Sequence, residues 1–118
     1  MDIKELNDFQ LKMSKEWFGA DHRRPEDFQE FMKRLQFGTI ALSGEVGEFA
    51  NVVKKMIRFS ELNQQKKAEE KIDDLKEELA DVFAYTLILS STLGISLEDE
   101  YLKKMEKNKE RFKNFKKA

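Results

Sequence analysis

Residues 41–56 have the sequence ALSGEVGEFANVVKKM, in which two acidic residues interrupt an apolar helical stripe. With about 100° of rotation per helical residue, Leu42 and Phe49 lie on the same side of the helix. Glu45 falls inside that apolar arc, and Glu48 falls on its edge. An acid that only solvated the surface would lie on the opposite face. The stretch therefore predicts a helix that carries carboxylates on its buried side.

A second stretch further along the chain repeats this arrangement. Residues 72–93 place Leu75 and Val82 on one side of a helix, with Glu78 inside the same apolar arc. Asp81 follows three residues later and lies on the edge of the arc. A single acidic pair with this spacing is common on solvated helix faces. Two pairs with the same offset, each in an apolar arc, indicate a shared site.

The pairing of these two apolar faces would bring four carboxylates into one partly dry cleft. Unpaired anions are costly there, so the acids either take up protons or surround a cation. Ligation by oxygen alone, without His or Cys, suits a hard cation. The pattern therefore predicts Mg²⁺, or Mn²⁺, held by Glu45, Glu48, Glu78 and Asp81, with water and a phosphate in the remaining positions.

The remaining sequence also has helical periodicity and no alternating β-branched run. We therefore expect an all-α bundle of four to five helices, a single domain over residues 1–118, with the site between two long helices. The first predicted helix runs from Ile3 to near Gly19, and a connector follows over 20–24. The next helix has Pro25 in its first turn and runs to about Phe59, either as one piece or as two pieces broken near Gly38. After an unpatterned polar tract over 60–67, a helix runs from Ile72 to its end at Gly94, and a last helix, capped by Ser96, has a stripe that runs to Phe115.

Composition excludes several classes of function. The 118 residues include no Cys and one His, which removes thiol chemistry and metal sites built on Cys. The 22 basic residues balance 23 acidic ones, so a general nucleic-acid binder is not expected. No apolar stretch approaches the length of a membrane span, and the charged N-terminus does not resemble a signal peptide. We therefore expect a cytoplasmic protein that binds no membrane, with His22 solvated in the connector.

The last predicted helix carries a polar group in its apolar stripe. Asn108 lies at the centre of that stripe, and Lys104 and Arg111 lie on one flank. An amide and two cations beside an acidic metal site would suit an anionic phosphate ligand. The alternative is that Asn108 bonds backbone groups while the two cations lie along the surface.

Three of these motifs, in this order and register, resemble the MazG-like nucleotide pyrophosphohydrolases, most closely the dCTP pyrophosphatase branch. The motifs are residues 41–49, residues 77–82 with Tyr85, and residues 104–108 with Arg111. The likeness spans roughly residues 28–112. It implies an all-α fold, a homodimer or dimer of dimers, and Mg²⁺-dependent hydrolysis of a nucleoside triphosphate to the monophosphate and pyrophosphate. The role that it suggests for this reaction is the cleansing of the nucleotide pool.

The same resemblance assigns roles to individual residues. The four acids match the metal ligands of the family, and Glu48 or Glu45 would orient the attacking water. Lys104 and Asn108 match positions that meet the nucleotide, and Tyr85 matches a pocket residue. Lys55 stands where the dCTP pyrophosphatase branch has a base-stacking Trp, so a preference for cytosine does not follow. Phe28 or Phe31 would stack on the base instead, unless both are core residues.

Two other classes of protein remain to be compared with this interpretation. A di-iron carboxylate bundle also buries acids among helices, but it needs Glu-x-x-His motifs, which this sequence lacks. A non-catalytic helical dimerisation or adaptor module would pair the acids with cations such as Lys54 and Lys55 across an interface. That second alternative stays open on the sequence alone.

Overall fold

Every regular element in the computed structural model, which describes residues 1–115, is helical. The elements are α1 (Ile3–Phe18), α2 (Phe28–Glu61), α3 (Gln65–Glu69), α4 (Ile72–Leu93), α5 (Leu97–Arg111) and one 3-10 turn (Lys113–Phe115). The predicted all-α class is confirmed. Within the described part, no single helix is long and apolar enough to cross a membrane; the segments 65–93 and 97–111 meet that criterion only together, across a bend of 98°.

Helix α1 begins and ends where the sequence predicts. The Asp2 side chain accepts a hydrogen bond of 2.8 Å from the Glu5 N–H and so caps the first turn. Gly19 adopts φ 66°, a left-handed conformation that ends a helix at low cost in glycine. The Gly19 N–H donates to the Lys15 carbonyl at 2.9 Å, which completes the C-terminal cap.

Helix α2 corrects two expectations. Asp27 is its N-cap and accepts a 2.9 Å hydrogen bond from the Glu30 N–H, so Pro25 lies in the connector and not in the first turn. The helix then continues unbroken through Gly38, which excludes the two-helix alternative. Gly38 is buried against Leu89 of α4, and this close packing offsets the low helix propensity of glycine.

The tract after α2, which the sequence predicts to be polar and unpatterned, is partly helical. It contains the short helix α3, which packs on α2 and buries Ala68. Asn63, at φ 57°, turns the chain between the two helices. One buried alanine in a polar tract produces no hydrophobic periodicity, which is why the sequence did not indicate this helix.

The last helix begins as predicted but ends early. Gly94, at φ 70°, ends α4, and the Ser96 hydroxyl accepts a 3.3 Å hydrogen bond from the Asp99 N–H at the start of α5. Helix α5 stops at Arg111, so Phe112 and the 3-10 turn that contains Phe115 lie beyond it. The rings of these two phenylalanines pack edge to face beyond the end of the helix, with their centroids 5.7 Å apart.

The main packing contact of the fold is between α2 and α4, which run antiparallel with Gly38 opposite Leu89. Helix α1 covers the other side of α4, where the Ser91 hydroxyl donates a 2.7 Å hydrogen bond to the Asn7 side chain. The Thr92 hydroxyl donates to the His22 carbonyl at 2.9 Å and ties the connector to α4. Helix α5 packs on α1. The α2–α4 pair therefore forms the frame on which the other elements lie.

Candidate metal centre

Three predicted acids meet between α2 and α4. One carboxylate oxygen of Glu45, one of Glu78 and one of Asp81 all lie within 4.8 Å of one another. Glu78 and Asp81 are three residues apart on α4 and therefore share the face that meets α2. Glu45 and Glu78 are half-buried, whereas Asp81 is exposed. The cluster thus has a sheltered floor and an open rim.

Two oxygens on the floor of the cluster are unsatisfied. The Oε2 atoms of Glu45 and Glu78 are buried and have no hydrogen-bond partner within residues 1–115. A buried oxygen without a partner is destabilising, and three clustered carboxylates also repel one another. A hard divalent cation would relieve both costs, because its preferred ligands are carboxylate oxygens. The donor set therefore fits Mg²⁺ or Mn²⁺.

The pKa values of the two inner acids report the same environment. Exclusion from water raises the pKa of Glu45, and the charges of Glu48 and Asp81 raise it further. Exclusion from water also raises the pKa of Glu78, and the nearby Glu48 carboxyl raises it further. Glu48 therefore borders the cluster from the exposed side of α2. The charges that act on the two inner acids are all carboxylates.

Gly44 and Gly47, which flank Glu45 in the sequence, face open space. A Cβ atom added at either position would meet nothing within 4 Å. These glycines therefore do not serve to bring α4 close to α2. They leave room on the surface of α2 for a ligand or for another chain.

Tyr85 lies one helical turn after Asp81 and lines a cavity of about 430 Å³ beside the cluster. Its walls come from α1, the connector, α2 and α4: Gln10, Ser14, Phe18, Ala20, His22, Phe37, Ala84, Tyr85 and Ile88. The sequence analysis missed most of this wall, and it expected a solvated His22. The ring is instead half-buried, and burial lowers its pKa. Helical periodicity contains no signal for a cavity whose walls come from three helices and a connector.

The proposed phosphate-binding residues of α5 lie apart from the acids within one chain. Lys104, Asn108 and Arg111 sit on a helix that packs on α1 and bends 98° away from α4. Asn108 is half-buried, and its carbonyl accepts a 2.8 Å hydrogen bond from the Phe112 N–H. The Arg111 guanidinium stacks on the Phe112 ring at 4.5 Å. A single chain does not bring these residues to the metal centre.

Two further predicted contacts lie on α2 at a distance from Glu45. Lys55 is exposed and follows Glu45 by ten residues, about 15 Å along the helix axis. Phe28 is the first residue of α2, 63% exposed and about 25 Å before Glu45. Its neighbour Phe31 is half-buried beneath the Arg24 guanidinium at 4.6 Å. Within one chain, Phe28 is beyond the reach of a nucleotide whose phosphates meet the acids.

The sequence model of the MazG nucleotide pyrophosphohydrolase domain matches residues 38–115, about two thirds of the chain. This chain belongs to the MazG nucleotide pyrophosphohydrolase family. It is also similar to the Gene 37 protein of Mycobacterium phage L5, with 36% identity over 82 residues that cover 65% of this chain and 68% of the phage protein. No solved structure matches. The family match contains all four acids but excludes α1 and the connector.

The raised pKa values predict that alkaline pH destabilises the metal-free chain. A group whose pKa is higher in the folded than in the unfolded state contributes its stability below the unfolded value, and this contribution disappears as pH rises through the folded value. In a chelator, the free energy of unfolding measured with urea should therefore fall as pH rises above about 4.5, the ordinary pKa of a Glu carboxyl. Glu45→Gln and Glu78→Gln should reduce this fall and be equally or more stable at pH 8.

The control is Glu16→Gln, which neutralises an exposed acid on α1. It should follow the pH profile of the wild type. Glu45→Gln and Glu78→Gln variants that are both much less stable than the wild type at pH 8 would contradict this prediction. They would show that the acids bind cationic partners in the folded chain.

Proposed function

We propose that the chain is a Mg²⁺-dependent nucleoside triphosphate pyrophosphohydrolase, which converts an NTP or dNTP and water to the monophosphate and pyrophosphate. The observation that carries the proposal is the cluster of Glu45, Glu78 and Asp81 with its two buried, unpartnered oxygens. Membership of the MazG family supports the reaction class. Such an enzyme would act in the cytoplasm to remove unwanted nucleotides from the pool.

The four acids would have different roles in the reaction, namely metal binding and orientation of the attacking water. When bound, Mg²⁺ or Mn²⁺ supplies positive charge to the phosphate oxygens and lowers the pKa of a coordinated water. Glu45, Glu78 and Asp81 would hold the ion, with Glu48 completing the set at the rim. Glu48 is exposed and borders both inner acids, so it is placed to orient a water and accept its proton. The water oxygen attacks the α-phosphorus, the bond to the bridging oxygen breaks, and pyrophosphate leaves.

The nucleoside and the outer phosphates would extend from the acids in opposite directions. The cavity beside Tyr85 is of a size to receive a nucleoside and presents the aromatic ring of Phe37 for stacking. Lys55 lies in the opposite direction along α2, on the same side of the helix as Glu48. Its ammonium group would meet the outer phosphates. No feature of the cavity selects cytosine, so assignment to the dCTP pyrophosphatase branch remains part of the proposal.

A second copy of the chain would complete the site. The chain exposes 9394 Å², against about 6,700 Å² expected for a compact monomer of its mass of 14.0 kDa. The excess is comparable to an obligate interface. Large apolar side chains flank the acids on both helices and are 40–66% exposed, namely Ile40, Val46, Leu79 and Phe83. We propose a homodimer or a dimer of dimers that covers this apolar face and supplies Lys104, Asn108, Arg111 and Phe28 to the site.

The alternative function is a non-catalytic dimerisation or adaptor module. It would require cations such as Lys54 or Lys55 of another chain to neutralise the acids across an interface. No salt bridge among the described residues involves the four acids, and the MazG family match favours a pyrophosphohydrolase over such a module. The enzyme is therefore the better supported proposal.

Product analysis tests the proposed reaction. With Mg²⁺ present, a panel of ribo- and deoxyribonucleoside triphosphates should yield monophosphate and pyrophosphate in equal amounts. Glu78→Gln should lower kcat at least about hundredfold, because it removes a ligand of the metal ion whose charge would stabilise the transition state. Glu16→Gln should retain wild-type kcat. Release of diphosphate and orthophosphate, or no turnover on any nucleotide, would contradict the proposal.

Sedimentation tests the proposed assembly. At micromolar concentration the wild type should sediment as a dimer or tetramer. Ile40→Glu places a charge on the apolar face where Ile40 is 66% exposed, so it should dissociate the assembly with little loss of helix content. Its triphosphate hydrolysis should fall as the α5 residues of the other copy leave. A fully active wild-type monomer would rule out the shared site.

A further inference from the structure

Helices α2 and α4 approach most closely where Leu89 lies against Gly38. A Cβ atom at Gly38 would lie 2.7 Å from Leu89 Cδ2 and 3.2 Å from Leu89 Cγ. Ordinary contacts of this kind begin at about 3.4 Å. No residue larger than glycine therefore allows this approach without movement of Leu89 or of the helices.

This contact belongs to the same interface as the metal centre. Gly38 precedes Glu45 by seven residues, two turns of α2, and Leu89 follows Asp81 by eight residues on α4. The contact and the cluster are therefore about 10 Å apart along the helices. Close-packed interiors transmit strain, so a wider crossing at Gly38 would move the α2 carboxylate relative to those of α4.

The size of that movement matters for the choice of ion. If Leu89 keeps its place, the helices would have to separate by several tenths of an ångström to restore ordinary contact. Mg²⁺ binds oxygen at about 2.0–2.1 Å with strict octahedral geometry, whereas Ca²⁺ binds at about 2.3–2.6 Å with flexible geometry. The displacement is therefore comparable to the difference between the two ions.

We propose that Gly38 is a positioning residue that sets the distance between Glu45 and the acids of α4, and thereby favours Mg²⁺ over the larger Ca²⁺. This inference rests on the proposed metal site. It assigns a functional reason to a glycine in mid-helix, where the residue otherwise lowers helix stability relative to alanine. Gly44 and Gly47 have open space around them and do not set the distance between the helices.

The test is the affinity of Gly38→Ala for Mg²⁺ and for Ca²⁺, measured by calorimetric titration without nucleotide. We expect the Mg²⁺ affinity to fall about tenfold and the Ca²⁺ affinity to fall less, so the ratio of the two affinities changes. Circular dichroism should show unchanged helix content. Gly44→Ala is the matched control, because it makes the same helix-favouring change on α2 without meeting Leu89.

A size-swap variant separates positioning from general damage. In Gly38→Ala combined with Leu89→Ala, the atoms that meet the new Cβ are gone, so the preference for Mg²⁺ should return. Leu89→Phe adds bulk to the same contact from α4 and should also lower the preference, which decides the question if Gly38→Ala does not fold. An unchanged ratio in Gly38→Ala, or no recovery in the double variant, overturns the inference while leaving the metal site intact. A wild type that binds neither ion overturns both proposals.

Discussion

The burial of like charges between α2 and α4 is the constraint on which the rest of this structure depends. Apolar side chains drive the two helices together, yet the same faces carry Glu45 and Glu78 with oxygens that find no partner. No salt bridge among the described residues involves them. In the proposed account a bound cation would complete both the stability and the chemistry of this helix pair.

The fold was predictable where one element carries its own signal. Gly19, Gly94 and Ser96 mark helix ends through local hydrogen bonds and left-handed glycine conformations, and the structure has those ends. The sequence left the outcome open, or missed it, where a neighbouring element decides it. Helix α2 is one piece, the first of the two alternatives, because Leu89 packs on Gly38, and α3 forms because Ala68 is buried on α2; neither contact is visible in local periodicity.

The candidate site divides in the same way. Glu45, Glu78 and Asp81 could be selected from sequence because an acid inside an apolar arc conflicts with its surroundings, and the structure brings these three together. The cavity that includes Gln10, Ser14 and His22 could not be selected, because it exists only where α1 and the connector meet α2 and α4. The residues of α5 lie apart from the acids within one chain, so their part in the site belongs to the proposed assembly.

The most direct test of this account is the binding of Mn²⁺ followed by electron paramagnetic resonance. The account predicts saturable Mn²⁺ binding to the wild type, competition by Mg²⁺, and loss of the bound signal in Glu78→Gln and in Glu45→Gln but not in Glu16→Gln. Wild-type protein that binds no Mn²⁺, or Glu45→Gln and Glu78→Gln variants that bind it as tightly as the wild type, would contradict the claim that these buried carboxylates form a metal centre.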